Sequence, residues 1–208
     1  MNIFFSENSL DSFNLNKFQN LQIYKFIELL KKNNLKINLV GKSTLVNPLR
    51  SHILDSIQIS RSINNKKSKI IDIGTGAGLP GIVLSIYGYF NLSLVDSNTK
   101  KINFIKNVVK ELNLSLIIIN SRIEMLTNFK FDYVVSRALA NLDKLLLYSL
   151  KLSHENTKLI FLKGKKINEE INEAKKNWNF NFSLKKSLSD PRGRIIIINR
   201  FKKKWQKL

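Results

Sequence analysis

The stretch Lys69-Ile-Ile-Asp-Ile-Gly-Thr-Gly-Ala-Gly-Leu-Pro-Gly81 decides how this chain is read. Ile70 to Ile73 is a buried-strand run that empties into glycines, and a helix is expected from Pro80. Glycine accepts the positive φ of a tight turn and lets a ligand approach the backbone. Proline suits the first helical turn, where its missing N–H leaves no bond unmade. The free N–H groups at such a helix start favour an anion or a polar ligand edge. A dinucleotide fingerprint would read G-x-G-x-x-G or G-x-G-x-x-A. Here Gly74, Gly76 and Gly78 are spaced G-x-G-x-G, and Leu79 stands where the third dinucleotide glycine belongs. A bare strand–helix turn needs only one or two glycines.

Asp72 lies two residues before Gly74. The resulting D-x-G-x-G-x-G resembles the loop with which S-adenosylmethionine-dependent methyltransferases hold the methionine part of their cofactor. A second run, Asn91-Leu-Ser-Leu-Val-Asp96, ends in an acid about 20 residues past Gly74. An acid there is placed to accept from ribose hydroxyls. Asp72, Gly74, Gly76, Gly78 and Asp96 are the expected frame of an S-adenosylmethionine site.

The chain has 208 residues, enough for one α/β domain and a modest extension, and is 43% hydrophobic, enough to bury a core. Without cysteine there is no disulfide frame and no thiolate metal site, and no metal is expected. No apolar run approaches the ~20 residues a membrane helix needs. Residues Met1 to Asn8 lack the basic start and apolar core of a signal peptide, so a cytoplasmic protein is expected. The net charge of +20 favours a polyanionic partner. The Lys-, Asn- and Ile-rich composition is also what AT-rich codons give, so where the basic residues fall matters more than their sum.

Apolar spacing predicts a helix over Asn14–Asn34, capped by Asn14 or Asn16, then a connector, Leu35–Gly41, and a second helix over Thr44–Ile63. Together they form an N-terminal helical cap, residues 1–64, laid over the strand ends. Residues 65–208 form the methyltransferase domain. Strands are expected at Ile70–Ile73, Leu92–Val95, Leu116–Ile119, Phe131–Ser136 and Lys158–Leu162, with helices at Pro80–Tyr87, Asn98–Leu112, Leu142–Leu152 and Ile167–Asn177. The runs Phe180–Leu184 and Ile195–Ile198, around the turn Asp190-Pro-Arg-Gly193, read as an antiparallel pair. Strand–helix alternation implies a parallel sheet with right-handed crossovers. The fold class is therefore α/β, a seven-stranded doubly wound Rossmann-like sheet. The tail Lys202–Lys204 reads as a solvated end.

Ligands bind beyond the carboxyl ends of such strands. That rule selects Arg122 after the third strand, Arg137 at the end of the fourth and Lys163 at the end of the fifth. They are expected to form a basic floor under the methyl group and to clamp a phosphate or a base edge. Strand four lacks the Asn/Asp-Pro-Pro-aromatic sequence that holds an exocyclic amine, and without cysteine a thiolate adduct on a pyrimidine is excluded. General bases are few: His52, His154 and acids already given to the cofactor. A substrate that is already a nucleophile fits. Guanine N7 carries a free lone pair and needs alignment rather than proton removal. A small-molecule methyltransferase on the same sheet, and a basic RNA-binding module with a decayed cofactor site, are the competing readings.

Several pieces together resemble one family, the bacterial 16S rRNA guanine-N7 methyltransferases RsmG (GidB). They are Asn38-Leu39, Arg50-Ser-His-Ile-Leu-Asp-Ser56, Ile71–Gly81, Leu94-Val-Asp-Ser97 with Lys100-Lys101, Ser121-Arg-Ile-Glu124, Val135-Ser-Arg-Ala138, Leu162-Lys-Gly164 and Gly193-Arg194. The resemblance implies a cofactor site at Gly74, Leu79, Asp96, Ile123, Glu124 and Arg137, with Ile123 and Glu124 along the adenine. It implies that Asn38, His52, Arg122, Arg137, Lys163 and Arg194 face the RNA or the target guanine, in the hairpin loop near the decoding site of the small ribosomal subunit. Nothing in the sequence suggests an obligate oligomer, and a monomer is expected. On residue type alone, His52 beside Ile53 and Leu54 also fits a packing histidine, and Asp55 a surface acid or a partner of Arg50 or His52.

Overall fold

The computed structural model describes residues 8–127 and 129–204. The N-terminal octapeptide, but for Asn8, and the last four residues lie outside them.

After a single turn, α1 (Asn8–Asp11), the helix α2 (Lys17–Asn34) begins where Asn16 caps it. Asn16 Oδ1 accepts from Gln19 N–H and Gln19 Oε1 accepts from Asn16 N–H, a reciprocal capping box. The second expected helix is irregular. A 3-10 turn, Lys42–Leu45, precedes Pro48, and a π-helical turn spans Leu49–Leu54. The short α3 (Asp55–Ile57) and a 3-10 turn, Gln58–Ser62, complete it. Proline donates no backbone hydrogen bond, so Pro48 starts a helix rather than continuing one from Thr44.

The main domain follows as β1 (Ile70–Ile73), α4 (Gly81–Ile86), β2 (Leu92–Asp96), α5 (Thr99–Glu111), β3 (Ile117–Asn120), β4 (Phe131–Arg137) and α6 (Leu142–Leu152). Then come β5 (Ser153–Lys163), α7 (Ile167–Asn177), β6 (Trp178–Lys186) and β7 (Arg194–Lys203). The sheet order is β3-β2-β1-β4-β5-β7-β6. The first five strands in that order are parallel, and β7 and β6 close the sheet antiparallel. The last two strands are longer than their apolar centres. Lys203 pairs with Trp178 and Lys202 with Asn179, so those lysines belong to a strand and not to a loose tail.

Two cores flank the sheet, sorted by the period-2 alternation of its strands. Ile70, Leu92, Leu94, Val135, Ile160 and Ile197 face one side, with α2, Ile53, Ile57, α4 and α5. Ile71, Ile73, Val95, Val134, Phe161 and Ile196 face the other, with α6 and α7. The first core runs unbroken across residue 64: Phe26 and Ile57 pack in one cluster with Ile82 and Ile105. Helix α2 therefore lies on a face of the sheet, against α4 and α5, while residues 49–58 reach the carboxyl end of β4.

Candidate functional site

The glycine turn has the backbone its composition requires, with φ of +64° at Gly74, +59° at Gly76 and +83° at Gly78. Asp72 is fully buried beneath it. Its Oδ2 accepts from Thr75 Oγ1 at 2.6 Å and from Gly81 N–H at 2.9 Å. A Cβ on Gly81 would stand 3.0 Å from that oxygen and closer still to Leu94, so only glycine lets the start of α4 come down on the carboxylate. Burial pushes the Asp72 carboxyl up to about 7 against these two hydrogen bonds. Asp72 thus shapes the turn from below. Leu79 does likewise: its side chain is 2% exposed and packs in the core, leaving only backbone toward a ligand.

Asp96 and the turn are joined directly. Its Oδ2 accepts Gly76 N–H at 2.9 Å and its Oδ1 accepts Asn98 N–H at 2.8 Å. The carboxylate stays partly exposed, and each oxygen keeps a further lone pair. Ser121 N–H donates to Asp96 O, which brings the Ser121–Glu124 segment beside the same corner. Glu124 there is exposed, whereas the Ile123 side chain is 9% exposed and belongs to the core with Ile71 and Val95.

Arg137, at the end of β4, is the centre of a second cluster. Its Nη1 lies 3.1 Å from Ser51 O, 3.3 Å from His52 Nδ1 and 3.2 Å from Asp55 Oδ2. The His52 tautomer follows from its neighbour. The single hydroxyl proton of Thr44 goes to Gly41 O at 2.6 Å, so His52 Nε2–H donates to Thr44 Oγ1 at 3.0 Å. Nδ1 then carries the lone pair that accepts from Arg137. Burial first, and the Arg137 charge second, lower the imidazole to about 4. His52 is 2% exposed with both ring nitrogens engaged. Expected to face the RNA, His52 stands here as a buried imidazole bonded to Thr44 and Arg137.

Lys163, expected at the substrate, is also engaged within the protein. Its Nζ sits 2.6 Å from Glu170 Oε2 and donates to Ala140 O at 2.8 Å, with 8% of the side chain exposed. It ties β5 to α7 and pins the loop that follows Arg137. The expected basic floor is also not continuous. Arg122 is exposed, but β2 and β1 stand between β3 and β4. At ~4.8 Å per strand that sets Arg122 roughly 14 Å from Arg137, next to Asp96 instead. Arg194 is in register with Lys163, and its Nη1 turns back to Pro191 O and Gly193 O. Asn38 is exposed on the turn after α2, which Asn34 holds by accepting from Leu39 and Val40 N–H.

The site also includes residues that the sequence reading did not select. Asp55 Oδ1 accepts from Ser189 Oγ at 2.5 Å and from Gln58 Nε2 at 3.1 Å. Leu139, just past Arg137, lies over Gly74, where a Cβ would meet its Cγ at 2.9 Å. A cleft of about 580 Å³ opens between residues 43–51 and the Ser189–Arg192 turn, with Arg50, Asp55 and Arg192 among its walls.

A model of the GidB family, rRNA small subunit methyltransferase G, matches residues 19–194. The ribosomal RNA small subunit methyltransferase G of Rickettsia prowazekii (strain Madrid E) is 40% identical over 178 residues, 86% of this chain and 92% of that one. The protein of the same name from Paramagnetospirillum magneticum (strain ATCC 700264 / AMB-1) is 36% identical, covering 82% of this chain and 83% of its own. Among solved structures, the ribosomal protein L11 methylase of Lactobacillus delbrueckii subsp. bulgaricus superposes with a TM-score of 0.57 at 19% identity, over 71% of this chain and 76% of that one. M. jannaschii TYW2 in complex with AdoMet gives 0.56 at 15% identity, over 81% and 80%. At such identities these two speak for the fold alone, a methyltransferase-like sheet. The glycine turn joined to Asp96 is thus set in a known scaffold, and the match over residues 19–194 with 36% and 40% identical relatives decides its kinship: the chain belongs to the GidB family, the ribosomal RNA small subunit methyltransferases G.

Proposed function

We propose that this protein transfers the methyl group of S-adenosylmethionine to N7 of one guanine in 16S ribosomal RNA, in the hairpin loop near the decoding site. It acts as a cytoplasmic monomer. The observation that carries the reading is the pairing of the glycine turn with Asp96, two strands along the same sheet edge from an arginine that bonds the described residues through Nη1 alone.

The residues fit the cofactor. The positive-φ glycines bare backbone on the ligand side of the turn, and Asp96 keeps lone pairs for ribose hydroxyls. Glu124 and the backbone at Ile123 stand beside Asp96 for the adenine. When bound, the cofactor supplies a methyl group on an electrophilic sulfonium.

The chain's own part is binding and alignment. Guanine N7 presents its lone pair without losing a proton, so no general base is needed. This agrees with His52, whose nitrogens are both occupied and whose imidazole is held neutral. Arg137 directs its remaining N–H groups to the guanine or its phosphate, where a fixed charge fork orients without titrating. Arg122, Arg194, Arg50 and Asn38 serve the RNA backbone.

The test is incubation of 16S RNA, free and in assembled small subunits, with the protein and methyl-labelled S-adenosylmethionine, followed by mapping of 7-methylguanosine. One labelled guanine N7 in that loop is expected. Label at another atom, or none on either substrate, overturns the reading.

A further inference from the structure

We propose that Asp55 is the positioning residue for Arg137, and that Ser189, in the turn between β6 and β7, holds Asp55 in place for that task. The proposal rests on the reading of Arg137 as a group that meets the substrate.

The geometry of the pair is the argument. A guanidinium and a carboxylate left to themselves dock fork to fork, through two parallel N–H···O bonds. Here Asp55 touches Arg137 end-on, through Oδ2 and Nη1 alone. The carbonyl of Ser51 and the Nδ1 of His52 crowd onto the same Nη1. Nε and Nη2 make no bond to the described residues. One edge of the plane is gripped by three acceptors and the other edge is kept for something else. An ion pair that served stability alone would gain by using both edges.

Asp55 has to be held for this to work, because a lone carboxylate would rotate into the fork. Its other oxygen supplies the hold. Oδ1 accepts Ser189 Oγ–H and Gln58 Nε2–H, which fixes the carboxylate plane. Ser189 is held in turn: Arg50 Nε–H donates to its carbonyl at 2.7 Å, and Gln58 Oε1 accepts Leu188 N–H at 2.7 Å. Side-chain exposures of 20% for Asp55 and 17% for Arg137 keep the pair from being loosened by solvent. The same Ser189 and Asp55 line the cleft between residues 43–51 and the Ser189–Arg192 turn, where Arg50 stands beside Asp55 and Arg192 is paired with Asp190.

The experiment compares Asp55→Asn, Asp55→Glu, Ser189→Ala and Arg137→Ala, and Asp55→Asn on the Arg137→Ala background, in the full-length protein. Methyl transfer to small-subunit RNA, S-adenosylmethionine affinity by calorimetry and thermal melting are read together. Transfer of label to guanine N7 by the wild type tests the underlying reading separately. Given that transfer, Asp55→Asn should lower kcat at least 10-fold, with cofactor affinity held within about 2-fold. Ser189→Ala should lower kcat roughly 3- to 10-fold with the melting temperature nearly unchanged, and Asp55→Glu should recover part of the rate. On the Arg137→Ala background Asp55→Asn should cost nothing further. Wild-type kcat in Asp55→Asn or in Ser189→Ala, or losses that multiply in the double variant, would overturn the proposal. So would a rate that falls only in step with the folded fraction.

Discussion

Lys163 Nζ stands 2.6 Å from Glu170 Oε2, and the same carboxylate oxygen accepts Leu142 N–H at the start of α6. One acid therefore joins a strand end, a helix start and the lysine that pins Ala140 O. Removing the lysine leaves a carboxylate that is still largely out of water, with a side-chain exposure of 21%. Lys163→Met should destabilise the protein by about 2–3 kcal/mol, below the range for a fully buried pair because Glu170 keeps some solvent. Lys163→Met with Glu170→Gln should lose less than the two single changes added. Urea denaturation measures both. Full stability together with lost methyl transfer would move Lys163 back to the substrate.

Gly74 is the position where the glycine turn is least replaceable. Its φ is +64°, and a Cβ there would press on Leu139. Gly74→Ala should cost about 1–3 kcal/mol in strain. It should also push Leu139 off the turn, with S-adenosylmethionine binding lost in calorimetry. Adding Leu139→Ala removes the clash but not the backbone strain, so only part of the stability should return. Full recovery would show that the positive φ costs nothing here.

Asp96→Ala removes the acceptor of Gly76 N–H and the expected partner of the ribose. A weakening of S-adenosylmethionine binding by about 1–3 kcal/mol is expected, for the loss of a charge-assisted hydrogen bond. Calorimetry at constant pH measures it. Unchanged affinity with a lower melting temperature would make Asp96 a brace for the turn and nothing more.

The pH dependence of stability combines two opposed groups. His52 is lowered to about 4 from 6.5. Between those values the unfolded chain binds a proton that the folded chain refuses, so stability falls as pH drops through that window, by on the order of 3 kcal/mol. Asp72 is raised to about 7 from 3.8. There the folded chain keeps a proton that the unfolded chain has lost, so stability falls as pH rises from 3.8 to 7. The wild type should accordingly show a shallow profile over this range. Asp72→Asn removes the second trend, and its urea midpoint should climb steadily from pH 4 to pH 6.5. A flat profile in that variant would show that His52 does not resist protonation.

Much of the architecture was readable in the chain because the information is local. β1, β2 and β4 are short apolar runs bounded by glycine, asparagine or charge, and the capping asparagines Asn16, Asn98 and Asn141 sit one residue before their helices. The glycine spacing foretells the positive-φ turn for the same reason. The residues whose partners were not legible in the chain are those whose surroundings come from far away. Lys163 looked like a strand-end cation because its acid arrives from α7. His52 looked like an RNA contact because Thr44 and Arg137 close on it from two other segments. Arg122, Arg137 and Lys163 follow successive strands in sequence, but the winding of the sheet inserts two strands between the first and the second. No spacing rule carries the Ser189–Asp55 contact, which spans 134 residues.

The π-helical turn at Leu49–Leu54 makes this region length-locked. Asp55 N–H reaches back to Arg50 O, five residues away, so the turn carries one residue more than an α-helix would. Deleting that residue would rewind the segment and swing everything after it by about 100°. The acid that faces the guanidinium would then point along another bearing, with Gln58 carried off beside it. A chain that trimmed this one bend would have to recruit a different carboxylate to steer its arginine.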